Sequence, residues 1–302
     1  MKINNYILPL TILTAVGSTQ AIANIIDFDI TTDASVHFHG EIANWDSSSG
    51  TTDSLAIAEI VNLFETPTSA TARSEGNDSG KFFLQGDVLH NGAWFGADSS
   101  LVQNLVFQNQ TGMDQSYHFN FTIEQGMLAL FGALQPEDDL HPSHHVEASY
   151  QADILLNGQS IWTSRAWLQS TSSGLSLTTE GTVLTANLEQ TLLDDSWLAE
   201  AYRWDAQSFQ LNLGQLAAGA SFELSYQVSA YIGGRPASAS CQEWQCGGHY
   251  YFGDPFSFGG AMLNNSNFSI ANQEPTPVNT PATFGSMLLG LLVLTRLRRR
   301  SF

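Results

Sequence analysis

Val146-Glu147-Ala148-Ser149-Tyr150-Gln151-Ala152-Asp153-Ile154 leads through Leu155 and Leu156 to Asn157-Gly158, and a second run returns from Gln159 to Leu168. Val146, Ala148, Tyr150, Ala152 and Ile154 occupy every second position, with Glu147, Ser149, Gln151 and Asp153 between them. A two-residue period belongs to a strand with one dry and one wet face. Asn-Gly between two such runs is a strong hairpin signal, because both residues tolerate the positive φ of a tight turn. The stretch therefore predicts an antiparallel hairpin. Trp162 and Trp167 fall on opposite faces of its second strand, so one of them is expected in the core.

The same period recurs outward from this hairpin. Val36, Phe38 and Ile42 alternate with His37, His39 and Glu41, and Tyr117, Phe119, Phe121 and Ile123 alternate with His118, Asn120 and Thr122. Phe209, Leu211 and Leu213 precede a Gly-rich turn, after which Phe222, Leu224, Tyr226, Val228 and Ala230 alternate again. Few segments carry a helical period. The chief exception is Leu188 to Tyr202, where Leu192, Trp197, Leu198 and Ala201 would share one face of a short helix. Thr66 to Gly80, rich in Ser, Thr and Gly, reads as an exposed loop, or alternatively as an early domain break. Strands of this kind predict an all-β fold: an antiparallel β-sandwich of jelly-roll type formed by residues 24–273 as one domain.

The 302 residues hold 10 Lys and Arg against 29 Asp and Glu, a formal charge of −19, and 43 % of them are apolar. That apolar share supports a sizeable core. The acidic balance excludes ordinary nucleic-acid binding, for which phosphate neutralisation supplies most of the affinity. Five of the ten basic residues lie at the two ends. Between Asn24 and Thr280 only Arg73, Lys81, Arg165, Arg203 and Arg235 remain against all 29 acids, a charge of −24. Such a surface repels acidic polymers and keeps the chain soluble.

Both ends read as addresses. Lys2, an apolar run from Tyr6 to Val16, and Ala21 and Ala23 form a secretory signal over residues 1–23, with cleavage expected before Asn24. Residues 274–302 form a tail: a Pro-rich approach from Glu274 to Pro281, an apolar segment over 284–294 expected as a helix, and a cluster at 296–300. Its Arg296, Arg298, Arg299 and Arg300 would act as a stop-transfer flank on the cytoplasmic side. A tail of this form is expected to hold the body at the outer face of the inner membrane, as a transmembrane tail.

A Pro-containing site, a short apolar segment and a terminal Arg cluster together resemble the PEP-CTERM sorting signal of Gram-negative bacteria. The resemblance covers about residues 275–302. The family's Pro-Glu-Pro is replaced here by the motif Val278, Asn279, Thr280, Pro281, Ala282 and Thr283, which lacks the Glu. The resemblance implies an exosortase-type processing enzyme as a partner, transient contact with the inner membrane, and a final place at the cell surface or in the extracellular matrix. Leu211-Asn212-Leu213-Gly214 and Gly253-Asp254-Pro255 have the general look of ectodomains in that family, whose members are associated with extracellular polysaccharide and biofilm matrix.

Chemistry-bearing residues are sparse. Cys241 and Cys246 bracket a Gly-rich loop, and in an exported chain they are expected to form a short-loop disulfide. His141, His144 and His145 follow Glu137-Asp138-Asp139 and offer a metal-binding loop, although adjacent histidines do not easily reach one ion. An exposed polar loop is the plainer reading. Asp27, Asp29 and Asp33, with Asp194 and Asp195, could supply oxygens to calcium, the one cofactor the acidic surface suggests, but no EF-hand loop occurs. Seven Trp, eight Tyr and 18 Phe mostly fill a core. Trp45, Trp94 and Trp244, next to Gly- or Ser-rich loops, are the candidates for exposed rings that stack on sugars. No Gly-x-Ser-x-Gly, His-Glu-x-x-His or phosphate loop occurs, and the chain is read as a non-enzyme. The expected function is an exported surface or matrix structural protein associated with exopolysaccharide. A carbohydrate-binding module is the alternative, and a metal-binding or hydrolytic surface protein comes third.

Overall fold

A computed structural model describes residues 24–38, 41–61, 69–78, 81–90, 94–131, 143–193, 197–235, 246–253 and 268–270. Its strands run in chain order as β1 (Asn24–Phe38), β2 (Glu41–Gly50), β3 (Asp53–Val61), β4 (Ser69–Asn77), β5 (Phe82–His90) and β6 (Phe95–Gln108). There follow β7 (Gln115–Ile123), β8 (Gly126–Phe131), β9 (His145–Leu156), β10 (Gln159–Thr171), β11 (Gly174–Gly181) and β12 (Ala186–Leu193). The last are β13 (Trp197–Trp204), β14 (Gln207–Leu216), β15 (Ser221–Arg235), β16 (Cys246–Phe252) and β17 (Phe268–Ile270).

These strands form two seven-stranded sheets and one small sheet. The first large sheet has the order β11-β10-β9-β15-β6-β1-β2 and the second β12-β13-β8-β16-β5-β4-β3. Every pairing between their described strands is antiparallel. The two large sheets pack face to face, β5 lying across β6 and β15, β16 across β15 and β9, and β4 across β1 and β6. The all-β sandwich expected from the alternation is therefore present. The third sheet, β14-β7-β17, closes one end of the sandwich.

The hairpin at 146–168 forms as read. Asn157 and Gly158 both have positive φ, 50° and 78°, and Leu156 pairs directly with Gln159. Trp162 is buried against Phe121 and Phe209, whereas Trp167 stands on the outer face, so the pair divides between the faces as expected.

Large aromatic rings fill the space between the sheets. Tyr150, Trp204, Phe252, Phe82 and Tyr226 form a chain of contacts with centroids 4.9–5.8 Å apart. Toward the closed end Phe107, Phe222, Tyr117, Phe119 and Phe268 continue it. Each such buried ring contributes roughly 2–3 kcal/mol by area removed from water. Tyr250 spans the sandwich: its hydroxyl donates to Ser99 Oγ at 2.8 Å on the opposite sheet. Its ring lies across Gly86, its direct partner on β5, where a Cβ would collide with it.

Two expectations about local structure are corrected. Leu188–Tyr202 is no helix: β12 and β13 pair antiparallel across it, from Ala186 opposite Trp204 to Leu193 opposite Trp197. The apolar spacing there fits a helix too, but β13 also pairs with β8, and that ladder decides the conformation. Thr66–Gly80 is not a loop throughout, since β4 occupies most of it. Its inward residues are small (Ala70, Ala72 and Ser74 are buried) because Ile30 and Leu101 press against that strand from the other sheet, close enough to touch any side chain placed at Gly76.

The structure gives the transmembrane tail no support: among the described residues no helix is long and apolar enough to cross a membrane, and residues 274–302 lie outside them. The apolar segment of the tail, residues 284–294, is 11 residues long, short of the roughly 20 that a span requires. The signal residues Ala21 and Ala23, the motif at 278–283, the expected helix at 284–294 and the Arg cluster lie outside the described residues, while Asn24 opens β1. Cys246 opens β16 as a buried strand residue and is disulfide-bonded, not a free thiol; Cys241, its expected partner, lies outside the described residues.

One side chain locks the closed end. Asn109 is fully buried, and its amide donates to the carbonyls of Met113, Leu216 and Ala217 at 2.8–3.2 Å. Its Oδ1 accepts from Thr111 and from the Tyr117 hydroxyl at 3.0 Å. Asn109→Ala leaves these groups without partners, and should lower the unfolding free energy in urea by about 3 kcal/mol. Asn104→Ala, whose amide reaches only the exposed Asp29, should cost about 0.5 kcal/mol or less.

Candidate functional site

The outer face of the first large sheet holds an open cleft of about 670 Å³. The strand registers explain its make-up. Trp45 pairs with Ser35, Ser35 with Asp98, Asp98 with Tyr231, Tyr231 with Ser149 and Ser149 with Trp167. These six residues form one row across β2, β1, β6, β15, β9 and β10. Five of them point away from the core, because their neighbours in sequence (Ala34, Val36, Ala97, Ala148, Ala166 and Ile232 among them) are buried; the exposed neighbours of Trp45, Asn44 and Asp46, instead bond back to β3. At the usual strand spacing the row is roughly 24 Å long from backbone to backbone. Aromatic rings stand at both of its ends and Tyr231 stands within it.

Trp45 is 67 % exposed, an unusual state for the most costly side chain to leave in water. Its strand is held from behind. Asp46 accepts the backbone N–H groups of Ser47 and Ile57 at 2.9 and 3.0 Å, and the Asn44 amide donates to the Glu59 carbonyl at 3.1 Å. The bonds to Ile57 and Glu59 tie β2 to β3 across the sandwich edge. Trp94, just before β6, is half-buried and meets the His37 ring edge-on with centroids 6.4 Å apart. Trp244 lies outside the described residues.

His37 Nε2 lies 2.7 Å from Asp98 Oδ2 and 3.1 Å from Ser35 Oγ. A Ser-His-Asp relay needs one partner on each ring nitrogen. Here both partners share Nε2, so the three residues form a polar anchor and not a relay. Burial lifts the Asp98 carboxyl above its ordinary value, and the neighbouring His37 only partly offsets this. Burial also raises the Tyr231 phenol, and the carboxylates of Asp98 and Glu147 add to the effect. Tyr231 is thus a neutral hydrogen-bonding group throughout the physiological range.

The metal-binding readings are not brought together. His144 is buried, with Nε2 at 3.0 Å from Ser170 Oγ. Burial and the nearby His145 hold its pKa below the ordinary value. His145 is exposed and lies 3.9 Å from Glu147, and Glu137, Asp138, Asp139 and His141 are outside the described residues. Asp27, Asp29 and Asp33 are spread along β1, and Asp194 and Asp195 are also outside. Among the described residues no group of three or more His, Cys, Asp or Glu side chains converges as a metal site.

A second ion pair, Asp87 with His249, sits on the outer face of the other large sheet. Burial alone would raise the Asp87 carboxyl, but the hydrogen bond and charge of His249, with hydrogen bonds from Gln85 and Thr71, outweigh it and hold that carboxyl low. The pair is thus satisfied within its own sheet. The cleft is the stronger candidate.

Sequence reading singled out Trp45, Trp94 and Trp244 as exposed rings and left open which of Trp162 and Trp167 faces outward; it did not join Trp45 with Trp167, placed Ser149 on a wet face without a role, and missed Asp98 and Tyr231. The one signal that could have found them is the outward phase of each strand. Comparison with known proteins finds no family model and no curated relative that matches the chain.

Asp98 carries a measurable cost. Its carboxyl titrates higher in the folded than in the unfolded chain, so ionising it opposes folding at every pH above both values, and the cost disappears once pH falls below the unfolded value near about 3.9. Asp98→Asn should therefore melt at a higher temperature than the parent chain at neutral pH. The gap should close as the pH is lowered toward about 4. Thermal melts across that range check this, and an unchanged or lower melting temperature at neutral pH would contradict it.

Proposed function

We propose that this chain is an exported surface or extracellular-matrix protein that binds polysaccharide through the cleft on its first large sheet. The observation that carries the reading is the row of Trp45, Tyr231 and Trp167 on one solvent-facing surface, with Trp94 beside it. Flat rings stack on the apolar faces of sugars, and a protein that leaves such rings in water without a partner loses stability for nothing. Between the rings stand Ser35, Asp98, Ser149 and Tyr231, side chains that exchange hydrogen bonds with sugar hydroxyls. An open groove suits a polymer that enters and leaves at its ends.

The strand order supports a jelly-roll reading of the sandwich. Taking β5, β6, β8, β9, β10, β13, β15 and β16 as eight strands in sequence, one sheet runs first, eighth, third, sixth and the other second, seventh, fourth, fifth. Apart from the β9–β10 hairpin, consecutive strands then lie in opposite sheets across the core, as in two wrapped Greek keys. β1–β4 and β11–β12 extend the sheets at either edge.

The export route rests on the sequence. The signal at 1–23 delivers the body across the inner membrane, and the tail at 274–302 is the sorting signal on which an exosortase-type enzyme acts. The body is then released or attached at the surface, where extracellular polysaccharide is the available polymer.

Binding is tested with the full-length chain and the producing cells' own polysaccharide. Saturable binding is expected, weakened about tenfold, about 1.4 kcal/mol, by Trp45→Ala or Trp167→Ala. Trp45→Ala should leave the melting temperature nearly unchanged, since its ring is exposed. No saturable binding, or full binding by both variants, would sink the reading. For export, the intact mass of the protein recovered from cells should correspond to a chain that begins at Asn24 and lacks the Arg cluster; a retained tail would remove the sorting step.

A further inference from the structure

The charge of the cleft narrows its ligand, given the polysaccharide reading on which this inference rests. Its described lining holds Asp33, Asp46, Asp98 and His37 but neither Lys nor Arg. Arg165, two residues from Trp167 on β10, is already engaged by Asp153 at 3.6 Å and Glu180 at 3.4 Å. An acidic polymer would bring its carboxylates toward carboxylates with nothing to neutralise them, on a body that is itself strongly negative. A neutral polymer would use the rings and hydroxyls but would leave Asp33 without a counter-charge and Asp98 with His37 alone.

We propose that the cleft selects a polysaccharide with free amino groups, a polymer of unacetylated amino sugars, whose ammonium groups pair with Asp98 and Asp33 while the sugar rings stack on Trp45 and Trp167. Asp33 and Asp98 are diagonal neighbours on the paired strands β1 and β6, since Asp33 faces Ser100 and Ser35 faces Asp98. Such diagonal positions lie about 7–8 Å apart, and one chain crossing the row passes both. An ammonium in the cleft also gains from nearby indole faces, which attract cations, and it gains most where water is partly excluded. Asp98 meets that condition: it is half-buried, with only His37 as its charge partner. Burial has made its charge costly, and an incoming cation relieves that cost. Asp46 contributes less, because two backbone N–H groups already bind it.

The test is calorimetric titration of the full-length chain with three oligosaccharides of equal length: an oligoglucosamine, its fully N-acetylated counterpart, and an oligogalacturonate. The oligoglucosamine should bind about tenfold or more tighter than the acetylated form, with the ratio shrinking as salt is raised through the range that screens charge. The oligogalacturonate should not bind. Asp98→Asn and Asp33→Asn should each bring the ratio toward one. Asp205→Asn, which removes the same charge outside the cleft, should keep it. Equal affinity for the first two oligosaccharides would overturn the amine preference while leaving a sugar-binding cleft. A ratio that falls equally with Asp205→Asn would overturn it too, by placing the preference in the overall charge of the body. Failure of all three to bind would overturn both this inference and the reading beneath it.

Discussion

The aromatic layer between the two large sheets is the constraint from which the rest of this structure follows. Phe82, Phe252, Tyr150, Trp204 and Tyr226 can be kept from water only if every strand that carries them keeps its phase. A one-residue slip in β9 or β15 would turn Tyr150 and Tyr226 outward and bring Gln151 and Gln227 into the core. Register is thereby fixed over long pairings, such as Ser221 to Gly234 against β6. Once it is fixed, the solvent face is fixed with it. Ser35, Asp98, Tyr231, Ser149 and Trp167 stand in one row because the buried neighbours of each are locked, and Trp45 joins it through its register with Ser35, not because those six residues attract one another.

This dependence explains how much was legible in the sequence. The alternation of Val146 to Ile154 and the turn at Asn157-Gly158 are local signals that needed no partner, and they formed as read. Leu188 to Tyr202 failed for a physical reason: leucine and alanine are good helix formers, yet β13 sits between β12 and β8, and hydrogen bonds on both sides outweigh a modest propensity. β4 was hidden differently. Its inward residues are Ala70, Ala72, Ser74 and Gly76, small because Leu101 and Ile30 already fill the space opposite. A buried strand of small residues looks like a loop until its neighbours are known. Ile42, grouped in sequence with Val36 and Phe38, belongs to the next strand and is exposed, because β1 ends before it.

The cleft was the least legible feature. Its residues come from positions 35, 45, 98, 149, 167 and 231, six strands whose order along the sheet does not follow the chain. No spacing rule joins them. Composition did foreshadow its chemistry, since a body with 29 acids and few bases has little with which to hold an anion. Exposed tryptophan was a reasonable thing to seek, but Trp45 gains significance only from Trp167, 122 positions away in the chain and on the same row of the sheet.

The two large sheets also differ in a way that decides where a ligand can reach. On the second sheet Met127, Ala129 and Phe131 of β8 and Ala199 and Ala201 of β13 lie on the face opposite Leu128 and Leu130, which point into the core, and all of them are buried. β8 is thus covered on both faces, as an apolar strand with no polar alternation must be. The first sheet keeps its alternation on its inner strands: Ser149 and Gln151, Ser229 and Tyr231, and Asp98 and Ser100 carry polar atoms outward on β9, β15 and β6. A sheet with one covered face and one polar face has only the polar one to offer. Rings that survive on such a face stand against the same pressure that buried all the others, and their grouping around half-buried carboxylates is the feature on which the proposed ligand site rests.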